Sequence, residues 1–339
     1  MNKNNEKIWG ILLHRSMNYT RRLLGKTLLF DDEAWMNITK MTADCGVNTI
    51  ILDLCDGIEY GSHPEIALDG AWTRKKVRDE VKRLADMGIK IIPKLNFSTS
   101  HDMWLGEYSR MISTTTYYNV CRDLIYEVYD LFDEPQYIHL GMDEEDAKHN
   151  ANAQYVVFRQ GELYWHDLRF LMDCVIDKGA TPWIWSCALF DHPEEYKKHI
   201  GVEDAILSPW YYNAFRKEHY TPIESRSEYV TYYNEGEYAK MGLKYVEEDP
   251  FLVNFRNVAL PLMKEGYKYV PCASTVNKCP HNTMDLVEYF RDNAPDEQVI
   301  GFMTAPWTPA QVGNEHVFEE SLRLLKEAKE AFYGWSAEK

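Results

Sequence analysis

The sequence predicts an α/β fold, a single (β/α)8 TIM barrel over residues 1–339 with an extended segment between its sixth and seventh strands. Three observations predict it. Short apolar runs alternate with helical patterns from end to end, the runs number eight, and polar residues recur just after them. Parallel strands buried on both faces read as such continuous apolar runs. The polar residues that follow fall where the loops of a barrel's C-terminal rim build a site.

The elements follow in order. Strand 8–14 runs into His14 and Arg15, and helix 32–45 ends at Gly46. Strand 48–54 leads to Asp53 and Asp56, and helix 73–87 ends at Gly88. Strand 90–97 carries Asn96 towards Ser98, with His101 and Asp102 in the next loop, and helix 116–132 follows. Strand 137–142 opens onto Asp143 and Glu144, and helix 162–178 ends at Gly179. Strand 181–186 carries Trp185 and Ser186 before helix 194–199. Strand 205–211 delivers Trp210, Tyr211 and Tyr212. Helices at 225–240 and 252–265 then precede strand 268–274, so an insertion lies there. Strand 299–305 leads to Trp307, and helix 315–332 closes the chain. Gly46, Gly88 and Gly179 stand where a left-handed residue ends a helix. No Pro/Gly/Ser-rich linker divides the chain.

Composition narrows the function. A net charge of −16 argues against a nucleic-acid partner. No apolar run is long enough to span a bilayer, and residues 1–7 show no apolar leader. Seven cysteines without CxxC spacing predict neither a disulfide framework nor a zinc knuckle, so a reducing, cytoplasmic setting is expected. Aromatic content of 14%, with 10 Trp and 23 Tyr, suits a cleft that stacks rings on a carbohydrate, although core packing accounts for most of these residues.

The most informative stretch is Tyr137-Ile138-His139-Leu140-Gly141-Met142-Asp143-Glu144-Glu145-Asp146. An apolar strand breaks into four consecutive acids. One reading is a solvated acidic loop leading into a helix. The other is a pair of carboxylates at a barrel rim, one kept protonated as an acid and one kept ionised, as glycoside cleavage requires. Neighbouring strand residues face opposite ways, so Asp143 and Glu144 share a pocket only if the strand ends or bulges there. His139 reads equally as a site residue or a satisfied core histidine. Trp185, Trp210 and Trp307 at strand ends form a candidate aromatic wall. Arg15, Asp53, Asn96 and His101 are candidate substrate contacts.

Two segments resemble glycoside hydrolase family 20, the β-N-acetylhexosaminidases. That family carries Gly-Ile-x-Val-Ile-Pro-Glu-Ile-Asp-x-Pro-Gly-His at its third strand. Here Gly88-Ile89-Lys90-Ile91-Ile92-Pro93-Lys94-Leu95-Asn96 stands in that place, with His101 following. The fourth-strand motif His-x-Gly-Gly-Asp-Glu is matched by His139-Leu140-Gly141-Met142-Asp143-Glu144. Lys94 and Asn96 replace the family's third-strand acids, Met142 replaces its second glycine, and Ser16 is followed by Met17 rather than Arg. The resemblance implies retaining, substrate-assisted hydrolysis without a cofactor or metal. Glu144 would be the acid and then the base, and Asp143 would orient the acetamido group. A tyrosine after strand six, Tyr211 or Tyr212, would bind the acetamido or the intermediate. The altered residues imply weak turnover of simple aryl N-acetyl-β-glucosaminides.

Two other classes fit a barrel with acids at strand ends. A metal-dependent sugar isomerase or epimerase would use them as ligands. A carbohydrate-binding barrel would do no chemistry. Neither a His-x-His on strand one nor an HExxH helix is present.

Overall fold

The computed structural model describes residues 7–18, 27–146, 149, 155–216, 219 and 249–334. Its strands are β1 (Ile8–His14), β2 (Thr49–Asp53), β3 (Lys90–Lys94), β4 (Tyr137–Gly141), β5 (Thr181–Trp185), β6 (Ile206–Ser208), β7 (Lys268–Tyr269), β8 (Cys272–Ala273) and β9 (Gly301–Thr304). Their order is β7-β6-β5-β4-β3-β2-β1-β9-β8, and every pairing is parallel.

β7 and β8 are two halves of one barrel strand. Pro271 between them has no N–H and interrupts the ladder. The backbone still bonds on both sides. Val270 and Cys272 donate to Leu207 and Pro209, each at 2.9 Å, while Met303 and Ala305 donate to Pro271 and Ala273, each at 2.9 Å. The sheet therefore closes into a TIM barrel.

Helices alternate with the strands: α1 (Asp32–Asp44), α2 (Arg74–Asp86), α3 (Thr115–Leu131), α4 (Glu162–Asp177), α5 (Cys187–Asp191), α6 (Pro193–His199), α7 (Pro250–Asn254), α8 (Leu260–Glu265), α9 (Asn282–Asn293) and α10 (Glu315–Tyr333). A π-turn, Phe255–Ala259, joins α7 to α8. Thr73 caps α2, its hydroxyl accepting from the Lys76 N–H at 3.2 Å. Gly88 then takes φ 76° and turns the chain into β3.

Each of the eight expected barrel strands is present. β3 stops at Lys94 and β6 at Ser208, short of the runs read from sequence. The helix expected at 225–240 lies outside the described residues. The α9 helix was not expected. Its first turn holds Asn282, Thr283 and Asp285, polar residues that are nevertheless buried. Asn282 accounts for this: its amide donates to the Tyr211 and Asn213 carbonyls at 2.8 and 2.9 Å and accepts from the Ser274 N–H at 3.0 Å.

Alternation along the strands makes two cores. One lies between barrel and helices and includes Ile11, Leu13, Ile50, Ile138 and Leu140. The other fills the lumen with Leu12, Ile51, Ile92, Trp183, Trp185, Ile206, Val270, Cys272, Met303 and Ala305. All seven cysteines are free thiols. Among the described residues no helix is long and apolar enough to cross a membrane.

Candidate active site

A polar belt crosses four neighbouring strands above the lumen core. Register pairs His14 with Asp53, Asp53 with Lys94, and Lys94 with His139. All four are buried. Lys94 Nζ donates to Asp53 Oδ2, and His14 Nδ1 lies 3.6 Å from the same oxygen. Burial opposes the Asp53 charge, but Lys94 and His14 outweigh it and hold the carboxyl far below its usual range. Burial pushes His14 down. His139 is pushed well down by burial and then by Lys94. Its Nδ1 accepts from the Gly141 N–H at 3.0 Å, and its ring stacks on Trp183 at 5.4 Å. Lys94 and Asp53 thus form a buried ion pair beneath the rim. Lys94 is engaged within the barrel rather than held out to solvent.

The end of β4 breaks the strand's alternation. Gly141, Met142 and Glu144 take φ of 72°, 66° and 54°. At Gly141 no side chain fits, because a Cβ would stand 2.0 Å from Asn96 Oδ1. This left-handed backbone turns both acids towards one histidine. His101 Nε2 lies 3.3 Å from Asp143 Oδ2 and 3.3 Å from Glu144 Oε2. The β3 loop holds the acids from its side. Asn96 Nδ2 donates to Asp143 Oδ1 at 3.2 Å, and the Ser98 and Ser100 hydroxyls donate to the Asp143 and Glu144 carbonyls. The Asp143 side chain is 11% exposed and that of Glu144 27%, so the second acid reaches further into solvent.

The charges are asymmetric. Burial resists ionisation of Asp143, but His101, Lys94 and the Asn96 amide lower it to about 2. Burial resists charge on His101, but Asp143 and Glu144 raise it to about 10. At neutral pH the site therefore holds an aspartate against an imidazolium. A depressed carboxyl stabilises the fold above its ordinary 3.8, and that contribution is lost as pH falls towards about 2. A raised histidine stabilises below its ordinary 6.5, and that contribution is lost as pH rises towards about 10. The pair is worth most between those ordinary values. We expect the stability difference between wild type and His101→Ala in urea to be larger at pH 5 than at pH 9. A difference that grows with pH across that range would reverse the assignment.

The other two acids of the run do different work. Glu145 is buried on Arg159, whose Nε and Nη2 reach its two oxygens at 2.7 Å each. Arg159 also donates to the Phe97 carbonyl at 2.8 Å and lies 3.4 Å from Asp167. The Thr99 N–H donates to Glu145 at 3.2 Å. Asp146 instead holds His149 at 2.7 Å, and His149 Nε2 lies 3.5 Å from Glu144 Oε1. Sequence reasoning missed Arg159 and His149. The available signal was that a strand-end acid, if buried, needs a cation from elsewhere.

Aromatic rings form a continuous wall. Trp185 lies 5.0 Å from His139 and 6.1 Å from Trp307. Trp307 lies 5.4 Å from His14 and 6.4 Å from Tyr212. Tyr212 stacks on Trp210 at 5.1 Å. Tyr211 is turned the other way: its hydroxyl donates to Asp249 at 3.1 Å, and its ring packs on Phe215 and Phe255 in the outer core. Of the tyrosine pair, Tyr212 joins the wall. Arg15 is also elsewhere. Its guanidinium donates to the Gly70 carbonyl at 2.6 Å and lies over Phe30 and Trp72, and burial lowers it to about 10.

Solved structures share this barrel. A β-N-acetylhexosaminidase from Bacteroides fragilis is 13% identical with a TM-score of 0.61, over 95% of this chain and 65% of its own. This chain therefore spans less than two thirds of that protein's length. A Streptomyces plicatus β-hexosaminidase, solved with its product GlcNAc, is 12% identical with a TM-score of 0.56, over 96% and 68%. Dispersin B is 14% identical with a TM-score of 0.51, over 95% and 98%. No protein-family model and no curated protein matches the sequence. At these identities the likeness is one of fold: a divergent barrel similar to those of family 20 glycoside hydrolases.

Proposed function

We propose that the protein is a glycoside hydrolase acting by retaining, substrate-assisted cleavage. One observation carries the reading: consecutive acids at the end of β4 converge on His101, one held ionised and the other more exposed. In this mechanism the acetamido oxygen of the substrate attacks the anomeric carbon. Glu144 gives its proton to the departing glycosidic oxygen as that bond breaks, because an alkoxide is a poor leaving group at neutral pH. Asp143 orients the acetamido N–H and stabilises the positive charge on the cyclic intermediate. Glu144 then takes a proton from the water that opens it. Proton and electron pair are both accounted for, and no cofactor enters. His101 is a positioning residue that stands 3.3 Å from an oxygen of each acid. Tyr212 and Trp307 form the apolar side against which a sugar ring packs, with Trp185 buried behind Trp307.

A panel of chromogenic aryl glycosides tests the reading. Lys94 and Asn96 change the floor and rim where the related enzymes present acids, and Lys94 is already paired. We expect simple aryl N-acetyl-β-glucosaminides to turn over below about 10⁴ M⁻¹s⁻¹, the lower end of ordinary enzyme efficiencies, and a different or decorated glycoside to turn over better. Full efficiency on the simple substrate would show that the altered floor leaves specificity untouched. Inactivity on every glycoside would remove the hydrolase reading.

A further inference from the structure

The distances around His101 are not those of a plain hydrogen bond. A charge-assisted N–H···O⁻ contact closes to about 2.7–2.9 Å. Here one nitrogen stands 3.3 Å from each of two carboxylate oxygens. Ligand atoms about 2.0–2.2 Å from a tetrahedral zinc ion stand about 3.3–3.6 Å from one another. The His101, Asp143 and Glu144 ligand atoms all lie within 4.8 Å of one another. His149 stands just outside that group, on the other carboxylate oxygen of Glu144. His149 Nε2 lies 3.5 Å from Glu144 Oε1, and its other nitrogen is held at 2.7 Å by Asp146. A carboxylate behind an imidazole fixes the tautomer and direction of a metal-ligating histidine.

We infer that His101, Asp143 and Glu144, with His149 drawn in as the fourth ligand, bind one divalent transition-metal ion of the zinc class, and that the loaded site is silent as a glycosidase. Two imidazoles and two carboxylates suit zinc better than magnesium or calcium, which favour all-oxygen shells. Binding displaces to solvent the proton that His101 otherwise carries between the two acids. The binding half stands on geometry alone. The silencing half rests on the proposed hydrolysis: a Glu144 oxygen bound to metal has no proton to give, and the Asp143 charge is spent on the ion.

Equilibrium dialysis of chelator-treated protein against zinc chloride, followed by metal analysis, tests the binding half. One ion per chain is expected in this site. Asp146→Asn should weaken it about 10–100-fold, the usual cost of removing such a supporting group, and His149→Ala at least about tenfold on the same scale. Neither change touches the core, so thermal unfolding should stay as in wild type. The outer helices carry a second trio, Glu162, Glu195 and His199, whose glutamates both pair with Lys198. His199→Ala should leave one ion bound. An ion lost in His199→Ala but retained by His149→Ala and Asp146→Asn would overturn the proposal, as would no zinc bound at all. Turnover of the best aryl glycoside should then fall at least tenfold at saturating zinc and return with chelator. Unchanged or increased turnover would overturn the silencing. Zinc bound through these ligands by a protein inactive on every glycoside would remove the hydrolase reading and leave the metal site standing.

Discussion

Glu144→Gln is expected to lower kcat by about 10²–10⁴-fold, the range that a positioned proton donor contributes, with little change in KM or in thermal unfolding. The amide keeps the shape of the side chain and its place beside His101, 3.3 Å away. Only the proton is removed. Binding to the apolar wall is untouched, so the loss falls on the step in which the glycosidic bond breaks. A substrate with a good leaving group, such as a dinitrophenyl glycoside, should recover much of the lost rate, because its oxygen departs without protonation. A variant retaining more than about a tenth of the activity, a barrier change under about 1.4 kcal/mol, would show that Glu144 is not the acid. If Asp143→Asn is equally silent but is not rescued by the better leaving group, the two acids hold the different roles assigned to them.

The second large effect is on stability. Arg159→Ala is expected to cost about 3–5 kcal/mol, as breaking a buried pair from one side does. The arginine side chain is 0% exposed and faces Glu145 at 4% and Asp167 at 0%. Without it Glu145 is an uncompensated buried charge. Asp167 keeps the Ser113 and Tyr118 hydroxyls at 2.6 and 2.5 Å, so Glu145 bears most of the loss. A domain of this kind has about 5–15 kcal/mol in all, so the effect is a large share. Removing both charges, by Arg159→Met with Glu145→Leu, should restore much of it. Arg159 also joins the β3 loop at Phe97 to the β4 loop at Glu145, so activity in Arg159→Ala should fall along with stability. A loss under about 1 kcal/mol in urea unfolding, the range of exposed pairs, would mean that water reaches the pair.

The sequence by itself determined the barrel and the place of the acids just after its fourth strand. Strand and helix periodicity is local, so eight apolar runs and their trailing polar residues could be read along the chain. The break from Gly141 into Asp143 and Glu144 was legible for the same reason. It could not show that both acids face one histidine, because that depends on left-handed backbone at Met142 and Glu144, which are not residues that favour it. The run of four acids looked uniform, yet only tertiary structure separates Glu145, buried on an arginine fourteen residues away in sequence, from Glu144 at the rim. Tyr211 and Tyr212 are neighbours of one type, and their opposite faces were decided by where the short β6 ends. Lys94 was readable as a departure, but its commitment to Asp53 is a cross-strand register pairing. Helix α9 was hidden because its buried polar first turn is satisfied by loop carbonyls from elsewhere in the chain. Local pattern fixes which elements form. Which charges are desolvated, and by whom they are answered, is a property of groups that meet only after the barrel has closed.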